Sequence, residues 1–335
     1  MVNTLKYSFI IPVFNRPEEV KELLESFVKL EFKEEYEIVI IEDGSLKTCK
    51  DIVSDFKENL NISYYFKENS GPGDSRNFGM QKARGNYFII LDSDCILPSH
   101  YLKTVDVFLS KGFHHCFGGA DSANIDFTSL QKAINYTMTS FYTTGGIRGS
   151  EKSIQKFEPR SFNMGISKEV FLKTKGFSKI HPGEDPDLSQ RILKENYNTV
   201  FIPNAYVYHK RRISWKTFYQ QVYKFGLVRP ILNNWHPNAA KITFWFPTLF
   251  MFFVITSLFF GILFNILFLL PLVAYSCLVL FDSSIKNKSI LIGILSVIAL
   301  FIQFIGYGSA FLKSTIYISI LKRDPKKQFP NLFFK

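Results

Sequence analysis

Apolar runs alternate with helix-like segments through the first ninety residues. The runs at residues 8–13, 36–41, 62–66 and 87–91 are short and nearly unbroken, which is typical of strands buried on both faces of a parallel sheet. Between the first two, Val20, Leu23, Leu24 and Phe27 recur at helical spacing after Pro17, a residue suited to the first turn of a helix. This rhythm predicts an α/β domain with a doubly wound, mainly parallel sheet.

A second hydrophobic pattern begins near residue 241. Residues 244–281 carry no charge and are long enough for a hairpin of two membrane spans that turns near residues 261–265. A polar break is expected at 282–288 and a third candidate span at 290–311. The following basic residues favour the cytoplasmic side. A cytoplasmic catalytic domain and a cytoplasmic tail require an even number of crossings, so the sequence leaves two or three spans open.

The pattern predicts four segments: a catalytic domain at 1–212, an amphipathic helix and linker at 213–240, transmembrane helices at 241–321 and a basic cytoplasmic tail at 322–335. In the second segment Trp215, Phe218, Val222 and Phe225 fall on one helical face, which is typical of a helix on a membrane surface. The alternative is a helix packed against the catalytic domain.

The charge of the chain is basic and uneven. Lys and Arg number 40 against 29 Asp and Glu, a net charge of +11. Because much of the excess accompanies apolar segments, it favours membrane lipids and phosphate groups over nucleic acid as partners.

Polar residues follow the predicted strands. Asp92 and Asp94 come directly after residues 87–91, and alternation would aim both side chains the same way. Ligands bind beyond the carboxyl ends of such strands, and two carboxylates there suit a divalent cation that also holds a diphosphate. An acidic turn is the alternative. Asp43 follows the second strand, where it could bind a nucleobase or ribose, or cap a helix. Arg76 follows a glycine-rich turn that favours an anion.

Five motifs occur in order with natural spacing. They are Ile11-Pro12-Val13-Phe14-Asn15, Ile41-Glu42-Asp43-Gly44-Ser45, Gly71-Pro72-Gly73 with Arg76-Asn77, Leu91-Asp92-Ser93-Asp94, and the later pair Asn163-Met164-Gly165 and Gly183-Glu184-Asp185. Across residues 5–210 the chain resembles the family 2 glycosyltransferases, which have the GT-A fold. Each motif alone is weak, but the ordered set is specific.

The resemblance implies a role for each matching residue. Asp43 would meet the nucleoside of a sugar-nucleotide donor, and Pro12 and Arg16 would line the same pocket. Arg76 would assist the donor phosphates, and Asn163 and Met164 would lie near the transferred sugar. Asp94, together with Asp92, would bind Mn²⁺ or Mg²⁺. Many relatives have a third acidic residue where this chain has Cys95.

The resemblance also implies a general base. Asp185 would remove the proton from an acceptor hydroxyl, with Glu184 as its hydrogen-bond partner and Asp187 as a rival. The bare pattern also fits an acidic first helical turn facing the helix dipole. His209 is a candidate metal ligand or an ordinary core or surface histidine. Gly118 to Asp121 and a loop over residues 143–156 are candidates for the acceptor side, and residues 210–212 for the departing diphosphate or anionic lipid.

The function predicted is inverting transfer of a sugar from a UDP, GDP or dTDP sugar to a lipid-linked or glycan acceptor. The enzyme is expected at the inner or plasma membrane, with its catalytic domain in the cytoplasm. Processive relatives carry a Q-x-x-R-W signature, which Gln220-Gln221-Val222-Tyr223 does not match, so one sugar per event is expected. The alternatives are a non-catalytic nucleotide-sugar-binding scaffold and a transporter; the uncharged residues 244–281 disfavour the latter.

Overall fold

The structure is a computed structural model that describes residues 6–122, 127–144, 157–209 and 214–334. The chain divides into two compact units. The first comprises residues 1–124, 151–210 and 333–335, and the second comprises residues 125–150 and 211–332. Residues 127–144 therefore associate with the C-terminal helices, although the sequence places them inside the catalytic segment.

The first unit is built on a mixed sheet of eight strands among the described residues, in the order β3-β2-β1-β4-β7-β6-β8-β5. The strands are β1 (Tyr7–Val13), β2 (Tyr36–Asp43), β3 (Ile62–Lys67), β4 (Tyr87–Leu91), β5 (Cys95–Ile96), β6 (Cys116–Ser122), β7 (Asn163–Ser167) and β8 (Thr199–His209). The helices of this unit are α1 (Pro17–Val28), α2 (Lys50–Phe56), α3 (Pro72–Lys82), α4 (Tyr101–Lys111), α7 (Lys168–Thr174) and α8 (Glu184–Lys194).

The first four strands confirm the predicted parallel arrangement. β1 pairs in parallel with β2 and β4, and β2 pairs in parallel with β3. β1, β2 and β4 are almost completely buried because apolar residues cover both faces of this part of the sheet, which explains their unbroken apolar runs. The carboxyl ends of β1, β2 and β4 consequently lie at one edge, where Asp43, Asp92 and Asp94 follow.

The second half of the sheet differs from the simple doubly wound expectation. β7 runs antiparallel to both β4 and β6, while β6 and β8 are parallel. Thr199–His209 forms the single strand β8, in which Pro203 and Asn204 continue the extended backbone. β8 ends by pairing with β5, which places His209 opposite Cys95, the residue after Asp94.

The second unit is helical. Its helices are α5 (Ser129–Thr139), α6 (Phe141–Thr144), α9 (Trp215–Trp235), α10 (Phe246–Leu263), α11 (Leu270–Asn287), α12 (Ile290–Ser314) and α13 (Pro325–Gln328). Three described segments are long and apolar enough to cross a membrane: Ile242–Leu263, Ile266–Asn287 and Ile290–Ile320. The polar residues 282–288, expected as a break, instead continue α11 to Asn287, and the helix ends at Lys288 in a left-handed conformation.

The apolar face predicted for residues 215–225 is packed within the second unit. Phe218 and Val222 of α9 form one buried cluster with Ile134 and Met138 of α5 and Ala299 of α12. Further along α9, Gly226 lets the helix approach α12 closely, because a β-carbon there would lie 2.4 Å from the Tyr307 carbonyl oxygen. Contact of α9 with a membrane surface stays a prediction.

Candidate functional site

The candidate site lies at the carboxyl edge of β1, β2 and β4, where the loops after these strands are tied together by hydrogen bonds. The loop after β1 carries Asn15, whose Oδ1 accepts from the backbone N–H groups of Leu46 (2.8 Å) and Lys47 (3.1 Å) in the loop after β2. Asn15 N in turn donates to Ser45 Oγ at 2.7 Å. The buried carboxylate of Glu42 accepts hydrogen bonds from the Ser45 hydroxyl and from the Cys49 backbone N–H, and these bonds fix the loop after β2.

Asp43, the expected nucleoside-binding residue, lies at the end of β2 and is buried. Its Oδ1 accepts from Lys67 Nζ (2.9 Å) and Ser70 N (3.0 Å), and its Oδ2 accepts from Gly71 N (2.9 Å). The carboxylate therefore organises the turn that leads into α3. A carboxylate accepts at about four sites, so these three contacts leave room for a ligand donor.

The two aspartates after β4 are each paired with an arginine. Asp92 Oδ1 lies 2.8 Å from Arg76 Nη2, and Asp94 forms an ion pair with Arg16. The side chain of Asp92 is 31% exposed and that of Asp94 is 10% exposed. Each carboxylate therefore faces a guanidinium at this edge.

Arg76 connects the β4 edge to α8. Its Nη1 lies 3.1 Å from Glu184 Oε1, its guanidinium lies 5.3 Å from the centroid of the Phe177 ring, and its side chain is only 4% exposed. Burial alone would lower the pKa of Arg76, but the charges of Asp92, Glu184 and Asp185 outweigh it and raise the pKa. In the structure this guanidinium bridges two carboxylates of the chain, and its contact with donor phosphates stays a prediction.

Glu184 and Asp185 begin α8 but have opposite electrostatic environments. Burial favours the neutral form of Glu184, yet the charge and hydrogen bond of His181, 2.9 Å away, and the charge of Arg76 lower its pKa to about 2. Burial and the negative charge of Glu184 raise the pKa of Asp185, against the opposing effects of Arg76, Arg160 and a hydrogen bond from Ser161. The Oδ1 atom of Asp185 is buried and has no hydrogen-bond partner among the residues that the structure describes. A raised pKa and an unengaged oxygen are properties of a proton acceptor.

Asp187, the rival base, is already engaged. It is buried, and Arg191 donates to its Oδ2 through Nε (3.0 Å) and Nη2 (2.8 Å). The same guanidinium also donates to the carbonyl oxygens of Thr174 (2.6 Å) and Gly176 (2.7 Å). Asp187 therefore anchors α8 to the end of α7.

The expected sugar-contacting residues lie in the sheet. Asn163 is fully buried; its Oδ1 accepts from Tyr101 Oη (2.6 Å), and its Nδ2 donates to the carbonyl oxygens of Ala205 (2.8 Å) and Ala120 (3.2 Å). Met164 is fully buried in the core cluster that contains Ile10 and Phe88. These contacts tie β7 to its neighbouring strands, and a role of either side chain in donor binding stays a prediction.

Three further predictions concern parts of the chain that the structure does not describe. The side chain of His209, most of the expected loop at 143–156, and residues 210–212 lie outside the described residues. No cluster of three or more potential metal ligands occurs in the part of the chain that the structure describes. Pro12 is half-buried near the end of β1.

Comparison with known proteins decides the family. The family model for glycosyl transferase family 2 matches residues 8–174, which includes β1 to β7 and the residues after β1, β2 and β4. The chain belongs to this family. The expected GT-A-type fold is confirmed as well: the mannosyltransferase PcManGT from Pyrobaculum calidifontis superposes with a TM-score of 0.55 at 14% identity, over 96% of this chain and 89% of that one.

Two curated family 2 glycosyltransferases are similar in sequence. The poly(ribitol-phosphate) beta-N-acetylglucosaminyltransferase TarS of Staphylococcus aureus is 32% identical over 114 residues, which is 33% of this chain and 20% of that protein. The GalNAc(5)-diNAcBac-PP-undecaprenol beta-1,3-glucosyltransferase of Campylobacter jejuni is 28% identical over 196 residues, 57% of this chain and 60% of that protein. The chain thus matches less than two thirds of the length of either relative.

Three residues at the candidate site were not predicted from the sequence: Lys67, His181 and Phe334. Lys67 ends β3 and contacts Asp43, as its strand-end position could have indicated. His181 pairs with Glu184 three residues later, a spacing visible in the sequence. Phe334 packs beside the turn at Gly71, and no local pattern predicts a contact between segments so distant in sequence.

Proposed function

We propose that the protein is an inverting glycosyltransferase that uses a nucleoside-diphosphate sugar and in which Asp185 is the general base. The observation that carries the proposal is the arrangement around Asp185. Its pKa is raised and its Oδ1 is unengaged, while Arg76 fixes the adjacent Glu184 to Asp92 at the donor edge. A proton acceptor is thereby held next to the expected diphosphate site.

The reaction follows from this placement. Asp185 accepts the proton of an acceptor hydroxyl while that oxygen forms a bond to the anomeric carbon of the sugar. The bond from this carbon to the diphosphate oxygen breaks, and the nucleoside diphosphate leaves with the electron pair. Attack opposite the leaving group inverts the anomeric configuration, which accords with the beta linkages in the names of both curated relatives. Asp43 and Pro12 would contact the nucleoside.

The carboxylates of Asp92 and Asp94 fit a divalent cation, Mn²⁺ or Mg²⁺. Such ions are held by one or two carboxylates plus substrate phosphate oxygens, so a two-aspartate set is sufficient. Arg16, the partner of Asp94, is 36% exposed and has room to move away. The structure of the mannosyltransferase with the same fold has been solved in complex with GDP-mannose and Mn²⁺. The cation would neutralise charge that develops on the leaving diphosphate. His209, opposite Cys95 in the β5–β8 pairing, is a candidate third ligand.

A membrane-bound, lipid-linked acceptor is proposed from the second unit. Its three long apolar segments have outer faces that expose many large hydrophobic side chains, including Phe252, Phe259 and Ile262. Such faces suit a hydrocarbon environment. The Campylobacter relative is named for an undecaprenol-linked substrate. We infer that the enzyme adds one sugar per event to a lipid-linked glycan or lipid, with the catalytic unit in the cytoplasm.

The proposal is tested with the full chain in detergent or nanodiscs. Radiolabelled UDP, GDP and dTDP sugars are supplied with Mn²⁺ or Mg²⁺ and a bacterial lipid extract, and the organic phase is counted. Label in the lipid fraction, with a product of inverted configuration by NMR, is expected. Donor binding without transfer to any acceptor would favour the non-catalytic scaffold, and a product of retained configuration would exclude Asp185 as the base of an inverting reaction.

A further inference from the structure

The last described residues of the chain pack on the catalytic unit. Phe333 forms an antiparallel bridge with Ile180, and the backbone N–H of Phe334 donates to the carbonyl oxygen of Lys179 at 3.1 Å. Both phenylalanines belong to the first unit, whereas residues 211–332 belong to the second. The segment that they join, residues 177–181, also carries Phe177, which packs on Arg76.

The ring of Phe334 lies against the turn that begins α3. Gly71 has a φ of +91°, and a β-carbon at this position would lie 2.2 Å from Phe334 Cδ2. The ring is therefore in close contact with the glycine backbone. The centroid of the Phe334 ring also lies 6.0 Å from that of the His181 ring.

Each of these two neighbours holds a carboxylate of the site. Gly71 N donates to Asp43 Oδ2 at 2.9 Å, and His181 Nδ1 lies 2.9 Å from Glu184 Oε1. The Phe334 ring therefore lies against one neighbour that binds Asp43, the expected nucleoside carboxylate, and near another that binds Glu184 of the acid pair in α8.

We propose that Phe334 is a positioning residue for the donor, whose ring holds the Gly71 turn against Asp43 and His181 against Glu184. This inference rests on the proposed function. Restricting a loop to its binding-competent conformation lowers the entropy that binding must overcome, so the ring should strengthen donor binding without taking part in bond making.

The test compares four full-length proteins: wild type, Phe334→Ala, Phe334→Tyr and the matched control Phe113→Ala. Phe113 is an exposed phenylalanine that packs on Tyr87 at the start of β4, the opposite end of that strand from Asp92. Donor Kd, KM and kcat are measured, together with amide hydrogen exchange at Ser70 and Gly71.

Phe334→Ala is expected to raise donor Kd and KM about tenfold with kcat within about twofold of wild type. It should also speed exchange of the two amides that donate to Asp43. Phe334→Tyr, which keeps the ring, should restore both properties, and Phe113→Ala should change neither.

Unchanged donor Kd and unchanged exchange in Phe334→Ala would overturn the proposal. So would an equal loss in Phe113→Ala, since that would indicate general destabilisation. If the wild-type protein binds no nucleotide sugar, the proposed function fails, while the exchange measurement still decides whether Phe334 holds the turn.

Discussion

Arg76 and Glu184 are separated by 108 positions in sequence, yet Nη1 of the arginine lies 3.1 Å from Oε1 of the glutamate. The second nitrogen of the same guanidinium lies 2.8 Å from Asp92. One buried cation therefore joins the residue that follows β4 to the acid pair that begins α8. This connection places the expected base and the expected metal carboxylates in one site.

Removing the Arg76 side chain should damage both stability and activity. Arg76→Met leaves Asp92 and Glu184 without their shared cation, and breaking a buried ion pair in this way costs about 3–5 kcal/mol. We expect a clearly lower Tm and a loss of kcat of at least about a hundredfold. Thermal unfolding and transfer assays measure the two effects.

The control for this change is Arg84→Met. Arg84 also pairs with a buried glutamate, Glu37, at 2.9 Å, but its own side chain is 72% exposed. Exposed arginines contribute at most about 1 kcal/mol through such pairs. Equal effects of the two substitutions would contradict the special position of Arg76.

The raised pKa of Asp185 predicts a pH-dependent effect on stability. Burial and the neighbouring charge of Glu184 raise this pKa in the folded protein. Protonated Asp185 therefore stabilises the folded protein below the pKa that this residue has in the unfolded chain. This stabilisation is lost as the pH rises through the pKa of Asp185 in the folded protein. Asn cannot ionise, so the Tm of Asp185→Asn minus that of wild type should increase as the pH rises from the pKa of an unfolded aspartate through the raised pKa of Asp185.

The rate of sugar transfer should depend on the ionisation of the same Asp185 carboxyl, but it should increase with pH where the stability of the wild type decreases. A general base acts only when it is deprotonated, so kcat should rise with pH through the raised pKa of Asp185. A Tm difference that decreases with pH, or a rate that is flat across the acidic range, would contradict this assignment.

Asp94 is expected to carry the metal dependence of donor binding. Asp94→Asn replaces a hard anionic oxygen with a weaker neutral ligand, so Mn²⁺ should no longer improve nucleotide affinity. Calorimetric titration of the nucleoside diphosphate with and without Mn²⁺ measures the difference. Asp51→Asn, at an exposed position in the first turn of α2, is the control. A full Mn²⁺ effect in Asp94→Asn would remove Asp94 from the proposed metal site.

Asn163 should behave as a structural residue. Asn163→Ala leaves Tyr101 Oη and the Ala205 carbonyl oxygen buried without their partner, and each unpaired group costs about 1–3 kcal/mol. We expect a lower Tm with donor KM within about threefold of wild type in the folded fraction. A large rise in KM at unchanged Tm would instead return Asn163 to the donor site.

The sequence predicts the first half of the sheet well because its elements depend on local patterns. The apolar run at 87–91 coincides with β4, and helix α1 begins at Pro17, the residue that suits a first helical turn. The edge at which Asp43 and Asp92 lie follows from parallel pairing alone. The antiparallel insertion of β7 between β4 and β6 is not predictable in this way, since its direction depends on contacts distant in sequence.

For individual site residues, too, local patterns predict some features, whereas others depend on contacts distant in sequence. The motif predicts Asp185 as the base, and packing adds a distinction from Asp187, whose carboxylate is held by Arg191. The motif also predicts Arg76 at the phosphates, but it does not show that two carboxylates flank the guanidinium. Burial of Met164 likewise follows from the strand face that it occupies, which the motif leaves open.

The central claim is that Asp185 removes the proton from the acceptor hydroxyl, and that donor binding does not depend on the Asp185 carboxylate. The most direct measurement is Asp185→Asn, assayed for transfer and titrated with the donor on the same preparation. We predict that transfer falls by at least about a thousandfold while donor Kd stays within about threefold of wild type. Turnover close to that of wild type would contradict the account.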